Sequence, residues 1–430
     1  DVYKRQDYTK NILNIKDDNI YFYENCLENV KINNTVTKIF RGYLTYTPEF
    51  CPKCGCVNEG FDDIIKWNWK KNCKIKLPKV SNYNTLLILD KQRFYCKHCH
   101  STFTASTNIV KFRKQISINT RTSVILDLMN KGSELEIAKR NNISTNSVNR
   151  ILHDISQDKL IKNNGLLPTS FGIDEFSATK DTISRMAFII VNHSSKRIFD
   201  INNSRKSIDI EHYFKRYSKQ ERDKVEFITM DLYKPYYILM HKLFRNATIV
   251  PDRFHIVIQF RNALDKTRIQ LCKKSNKNYN KFKKYWKLIL KCEDDLDTST
   301  QFYSHYFRKY VTEDYIITYL INTNHELFVT YNYYQGLLKS LRNRDKNKFF
   351  SIIDNPSSDI SIYAKKCNKT LLDMKKYLAN AFDYDFSNGI VEGTNNVIKQ
   401  IKHTAYGYRK FSHLKARIML IKGLFNPLAA

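Results

Sequence analysis

The sequence predicts an α/β chain of several domains: a zinc ribbon, a helix-turn-helix, and a mixed-sheet core carrying a helical insertion. Three observations carry that expectation. At 430 residues the chain exceeds one typical domain. Two Cys-x-x-Cys knuckles, Cys51–Cys54 and Cys96–Cys99, fall in one segment. From residue 170 onward, strand-like runs alternate with helical spacing before a long helical stretch and a last amphipathic helix.

Composition narrows the partners. Hydrophobic residues make up 42% and aromatics 13%, enough for packed cores and too much for a disordered chain. Lys and Arg number 72 against 42 Asp and Glu, a formal charge of +30 spread along the sequence, which points to a polyanion. A membrane surface competes for that role, but no apolar run approaches the roughly 18 residues of a spanning helix. Nucleic acid is the expected partner, and the expected compartment is a reducing cytoplasm. Residues 1–6 (DVYKRQ) begin without methionine, read like a translated adapter or fusion scar, and are left out of fold reasoning.

In chain order, residues 1–50 form an N-terminal region in which the alternating run Thr35–Tyr46 predicts strand. The zinc ribbon is expected over 51–110, with Cys51, Cys54, Cys96 and Cys99 as a tetrahedral thiolate set. The 41 intervening residues form a longer loop than usual, and runs such as Asn84–Leu89 and Arg93–Tyr95 are expected to fill it as a ribbon. Cys56, Cys73, His98 and His100 stay open as substitute ligands, and a redox dithiol pair is the competing reading. Four protein ligands would make this zinc structural.

The helix-turn-helix is expected over 115–160. Val124, Ile125, Leu128 and Met129 mark one helical face, Ser133 and Glu136 stand in capping-box register, and Ser144 can cap a third helix. Thr145, Asn146, Asn149 and Arg150 would then face outward, where amides and Arg can pair with base edges. An ordinary helical hairpin would show the same pattern.

From Ser170 the order reads β-β-β-α-β-α-β-α, a mixed sheet with helices on its faces. Asp174 and Asp231 sit at equivalent ends of the first and fourth strands. As parallel neighbours they would meet at the carboxyl edge, where open sheets place their sites. Two such acids repel unless a cation neutralises them, and oxygen ligands suit Mg²⁺ or Mn²⁺. Both acids could instead simply open loops. Glu175 alternates to the other side of its strand. A mostly helical insertion is expected at about 261–381.

The stretch Ser387–Arg417 closes the pattern. Ile390, Val391, Thr394, Val397, Ile398 and Ile401 share one helical face; Glu392, Asn396, Lys399 and His403 share the opposite one. Lys402, Arg409 and Lys410 add charge among Tyr406, Tyr408 and Phe411. A single acid in a basic tract fits a metal site acting on phosphate, though Glu392 could merely complement its helix dipole.

Taken together, these motifs resemble the Asp–Asp–Glu transposases of the ISL-three group. The matching stretches are the Cys51–Cys99 knuckles, the helices near 133–153, FGIDEF at Asp174, ITMDLYKPY at Asp231, PDRFH at 251–255 and SNGIVEGTNNVIKQIK…YGYRKF at Glu392. The resemblance implies a ribonuclease-H-like catalytic domain over 168–430, with Asp174, Asp231 and Glu392 as the metal-binding triad. It makes His255, in an Asp-x-x-His element, a helper near the scissile phosphate. It further implies binding of terminal inverted repeats, metal-dependent cleavage and strand transfer, and a homodimer or larger assembly on double-stranded DNA, both transposon ends and target. Lys399, Lys402, Arg409 and Lys410 would neutralise phosphates. The rivals are a non-catalytic DNA-binding regulator or domesticated transposase, and a structure-selective nuclease of the same fold.

Overall fold

The computed structural model describes residues 2–157, 165–274, 277–426 and 428. Its strands are β1 (Ile20–Ile32), β2 (Thr35–Leu44), β3 (Ile64–Val80), β4 (Tyr83–Cys96), β5 (Thr102–Thr104), β6 (Ser170–Ser177), β7 (Met186–Asn192), β8 (Ile198–Asn202), β9 (Phe227–Met230), β10 (Thr248–Pro251), β11 (Phe302–Ser304) and β12 (Lys309–Val311). The first helices are α1 (Val2–Leu13), α2 (Ile118–Leu128), α3 (Glu134–Arg140), α4 (Thr145–Gln157), α5 (Ser207–Lys215), α6 (Lys219–Asp223), α7 (Lys234–Leu243) and α8 (Arg253–Lys274). Then come α9 (Tyr279–Lys284), α10 (Trp286–Ile289), α11 (Glu313–Ile321), α12 (His325–Arg342), α13 (Lys346–Asp354), α14 (Ile362–Asp373), α15 (Lys375–Asp383), α16 (Gly389–Thr404) and α17 (Phe411–Ile421). The chain divides into two compact units: Asp1–Lys162 with Thr179–Asp181 and Val397–Ala430, and Asn163–Ala178 with Thr182–Asn396. Among the described residues, no helix is long and apolar enough to cross a membrane.

In the first unit β1-β2-β4-β3 form one sheet, with β5 added on β4. Two tight turns set its registers. Asn33 and Asn34 both take positive φ between the paired Ile32 and Thr35, and Ser81 and Asn82 do the same between Val80 and Tyr83. Such two-residue turns match strand twist, and Asn tolerates the left-handed region. The space between the knuckles is filled, as expected, by a ribbon: a long β3–β4 hairpin whose second strand contains both Asn84–Leu89 and Arg93–Tyr95. Phe40, Leu44, Leu87, Leu89 and Phe94 form its core.

Helices α2, α3 and α4 start where their caps predict. The Ser117 side chain accepts from Thr120 N, and Ser147 N donates to Ser144 Oγ. Ser133 and Glu136 complete a reciprocal capping box. Val124, Leu128, Val148 and Leu152 are wholly buried, as are Leu414, Ile418 and Met419 of α17. The largest buried side chain here is Arg417, whose guanidinium donates to the carbonyls of Leu128 and Gly132 and, through Nε, to the Tyr408 hydroxyl at 3.2 Å.

In the second unit the strand order is β10-β9-β6-β7-β8. β6, β7 and β8 form an antiparallel meander, while β9 and β10 run parallel to β6. Phe171, Phe188, Phe214 and Phe244 pack in ring contact on one another in its core. Residues 277–383 are mostly helical, as expected for the insertion, but include the β11–β12 hairpin, whose three-residue strands are too short to show a period.

Truncating Arg417 strands two buried carbonyls. Arg417→Ala is expected to cost about 3 kcal/mol, read as a lower urea midpoint for the first unit's helical signal.

Candidate active site

Strand register builds the site. β6 pairs with β9 as Ser170 with Phe227 and Gly172 with Thr229, and β9 pairs with β10 as Met230 with Pro251. Continuing both registers puts Asp174, Asp231 and Asp252 in a single row, just past the ends of β9 and β10. Asp174 is inside β6 rather than at its end, because pairing with β7 carries that strand on to Ser177. The ladder does continue at one end, where Asp252 N donates to Met230 O at 2.9 Å. The expected meeting of Asp174 and Asp231 is thus joined by a third acid, Asp252, which strand-end reasoning had not placed there.

The ligand atoms of Asp231, Asp252 and His255 all lie within 4.8 Å of one another. His255 follows in the first turn of α8, and its Nε2 stands 3.1 Å from Asp231 Oδ1. That contact is close enough for an ion pair but not aligned as a hydrogen bond, so the buried Asp231 Oδ1 has no donor. Asp174 lies outside this trio. Its Oδ1 accepts from Glu175 N at 2.6 Å and its Oδ2 from the Asn395 amide at 2.6 Å. Asn395 is itself buried, with its own Oδ1 left without a donor.

Electrostatics reflect the crowding. Burial, then the charges of Asp174, Asp252 and Glu175, push the Asp231 carboxyl up to about 8. Burial also raises Asp174 and Asp252, with His255 opposing the shift at both. Glu392 is exposed on α16 and is not part of the trio, although its charge contributes to raising Asp252. Glu175 points away, as alternation predicts, to Arg205 at 2.8 Å and the Tyr236 hydroxyl.

A close approach seats α16. Asn388, immediately before the helix, accepts from Thr229 Oγ1 at 3.0 Å and donates to Ile173 O at 3.3 Å. Thr229 also meets His193 Nε2 at 3.0 Å, and burial lowers the His193 pKa. A Cβ on Gly172 would lie 2.5 Å from Val391 Cγ2, 2.7 Å from Asn388 Oδ1 and 2.8 Å from Thr229 Oγ1. Only glycine permits this packing. Asn395, Thr229 and Asn388 were not assigned to the site from sequence; the doubled Asn395-Asn396 on a helix carrying Glu392 was the available signal.

The residues fit a divalent cation: two buried, undonated oxygens, Asp231 Oδ1 and Asn395 Oδ1, and raised carboxyls are what a bound cation would satisfy. In the first unit, the Sγ atoms of Cys51, Cys54, Cys96 and Cys99 also lie within 4.8 Å of one another, with Cys51–Cys99 and Cys54–Cys96 both at 3.8 Å. A thiolate tetrahedron with bonds of about 2.3 Å has edges of about 3.8 Å, so the four cysteines match structural zinc.

Of the expected nucleic-acid contacts, Asn146 and Arg150 are exposed on α4 and Thr145 is half-buried. Asn149 is half-buried, donates to Thr145 O at 3.2 Å and hydrogen-bonds Glu134, so its amide is engaged within the helices. Lys399, Arg409 and Lys410 are exposed; Lys402 is half-buried with its pKa lowered by burial.

Two predictions follow from this geometry. Gly172→Ala is expected to destabilise the second unit by about 1–3 kcal/mol, measured by urea unfolding. The second concerns pH. An unfolded Asp releases its proton near about pH 4, whereas folded Asp231 holds it to about 8. The contribution of Asp231 to the stability of cation-free protein should therefore be fully present below that lower limit and be lost as pH rises through the window. Asp231→Asn should flatten the fall, and added Mg²⁺ should stabilise more at its alkaline end.

A family model described as transposase, for the ISL-three Asp–Asp–Glu group, matches residues 171–418, more than half of the chain. A stretch of 139 residues is 34% identical to a Lactococcus lactis subsp. lactis protein described as an ATP-dependent protease, covering 30% of this chain and 43% of that one. The chain thus spans less than half the length of this curated relative.

Proposed function

This chain belongs to the ISL-three family of Asp–Asp–Glu transposases, and we propose that it binds the terminal inverted repeats of its own element and catalyses metal-dependent cleavage and strand transfer there. The observation that carries the proposal is the row of Asp174, Asp231 and Asp252, with His255 beside it and Glu392 on the helix seated against the same strands. The family implies a divalent metal. Two Mg²⁺ or Mn²⁺ ions, when bound, would activate the attacking oxygen and stabilise the leaving one.

The chain's own residues do the holding. Asp174, Asp231 and Glu392 are the proposed catalytic ligands, with Asp252 a further carboxylate in reach of Asp231. The Asn395 amide fixes the orientation of Asp174. His255 stands over Asp231, where it can orient the carboxylate or meet a scissile phosphate oxygen. The meander-plus-parallel strand order supports a ribonuclease-H-like core within residues 168–430, bearing a helical insertion at about 261–381. The freed 3′-hydroxyl would then attack a target phosphodiester, its oxygen bonding to phosphorus as the target strand's own 3′-oxygen leaves, with no protein–DNA bond formed.

Recognition falls to the first unit. Residues 51–110 are proposed as the zinc ribbon, residues 115–160 as the helix-turn-helix, and residues 1–50 as a leading segment that shares the sheet. Asn146 would face bases, and Arg150, Lys399, Lys402, Arg409 and Lys410 would meet phosphates. Pairing two ends calls for a dimer or larger assembly, working in the cytoplasm at the nucleoid. The relative's name, ATP-dependent protease, finds little support here. The sequence's Gly-x₄-Gly spacing, Gly55–Gly60, continues into Phe61-Asp62 where a phosphate-binding loop needs Lys-Ser/Thr.

The exposure of Glu392, outside the trio, favours one second reading: a non-catalytic regulator built on the same fold. Labelled duplex carrying the element's ends, incubated with and without Mg²⁺ or Mn²⁺, separates the two. Metal-dependent cutting at the ends is expected, with Asp231→Asn and Glu392→Gln each losing on the order of 10³-fold in rate while binding persists. Tight end-specific binding without cutting under either metal would establish the regulator instead.

A further inference from the structure

A second charged site lies in the first unit. It is a cleft of about 510 Å³ lined by Lys76, Lys111, Arg113, Lys114, Arg121 and Arg150. Asp154 is the one carboxylate among its lining residues, and Arg121 holds it at 2.9 Å. Lys111, Arg113, Lys114 and Arg150 have no acidic partner among the described residues. So many like charges around one space repel unless an anion enters.

The cleft is built from three segments of the chain: Lys76 of β3, residues 111–121 and residues 144–154. On one wall, backbone bonds pin the loop before α2 to β3: Lys76 N donates to Gln115 O at 2.7 Å, and Ser117 N to Lys76 O at 3.0 Å. Ahead of that anchor, Lys114 N closes a turn onto Lys111 O at 3.0 Å, with Arg113 at positive φ, and this turn displays three exposed cations. The Lys76 ammonium donates to Asn142 O at 2.8 Å, tying the sheet to the turn between α3 and α4. Burial lowers its pKa, so an anion that enters also favours its charged form. On the other wall stand Ser144 and Ser147 at the start of α4, with Arg150 one turn on. The positive end of that helix dipole adds to the field.

We propose that this cleft seats the sugar–phosphate backbone of duplex DNA. The cations of the Lys111–Lys114 turn and Arg150 would hold consecutive phosphates, and the Ser144 and Ser147 hydroxyls would donate to their oxygens. The choice of duplex over a small free anion comes from α4. Asn146 and Arg150 are both exposed and four residues apart, hence on one helix face. A backbone held by Arg150 therefore brings base edges to Asn146. The Lys111–Lys114 turn thereby becomes part of the DNA-binding surface, a role distinct from base reading. The proposal rests on the transposase reading above.

The test uses the full chain and fluorescence anisotropy with two duplexes, the element's end and an unrelated sequence, across a salt series. Lys111→Ala/Arg113→Ala/Lys114→Ala removes only exposed side chains, and a melting curve checks its fold. The slope of log affinity against log salt should fall by about 2–3 units, with both duplexes losing about 100-fold at about 0.15 M salt. A charge-conserving Lys111→Arg/Arg113→Lys/Lys114→Arg variant should keep the slope. If the alanine variant keeps the wild-type slope while wild type binds and cuts its ends, the cleft proposal is overturned and the transposase reading stands. If wild type binds neither duplex, both fall. Inorganic triphosphate is the remaining probe: should it stabilise wild type but not the alanine variant, with the DNA slope unchanged, the cleft is a small-anion site and the proposal is overturned.

Discussion

The second unit depends on an electrostatic cost that its strand register imposes. Two parallel strands, β9 and β10, end in step before Asp231 and Asp252, and the register carries that row onto Asp174 inside β6, so three aspartates share one edge of a buried sheet. Carboxylates crowded in this way cannot all ionise without compensation, and the strain concentrates on the middle member, Asp231. The groups around the row answer that cost. Asn395 donates to one outer acid, and His255 stands against the central one. The compensation is incomplete, and an apolar core would not tolerate it. A site selected to hold cations would.

The second constraint is steric. The helix bearing Glu392 and Asn395 can reach the row only because β6 has no side chain at Gly172, where Val391, Asn388 and Thr229 converge. Thr229 ties the contact together, bonded to Asn388 on one side and to His193 on the other. His193 in turn stacks on Phe386 at 5.3 Å, just ahead of the helix. Helix placement and acid placement are therefore set by the same few residues, two strand positions from the chemistry.

Much of this was legible in the sequence because it is local. The two cysteine knuckles, the Ser133–Glu136 box, the Ser144 cap and the strand-terminal Asp231 are all specified by spacing within a few residues, whereas β6 runs past Asp174 to Ser177 because β7 pairs with it. The Asn33-Asn34 turn between two alternating runs is equally local, though it went unassigned. The parts that were missed require knowing which strands are neighbours. Asp252 joins the row only because β10 lies beside β9, and nothing near residue 252 says so. Asn149 read as an outward amide, yet Glu134 of the preceding helix takes it up. The placement of the Lys111–Lys114 turn depends on Lys76, on a strand 35 residues earlier, which holds the segment that follows the turn, and no local spacing signals it.

Arg417 carries a consequence for how the protein is made. Its partners Leu128 and Gly132 lie 289 and 285 residues upstream, and all of the second unit is translated between them. A ribosome therefore delivers α2, α3 and α4 long before the helix that covers them. During that interval the nascent chain holds two unbonded carbonyls and an uncovered apolar face, a substrate for chaperones and proteases. A premature stop codon anywhere ahead of residue 414 leaves the first unit unfinished, however complete its own stretch of sequence. Truncated products of the gene should accordingly be cleared rather than persist as competitors of the full-length chain.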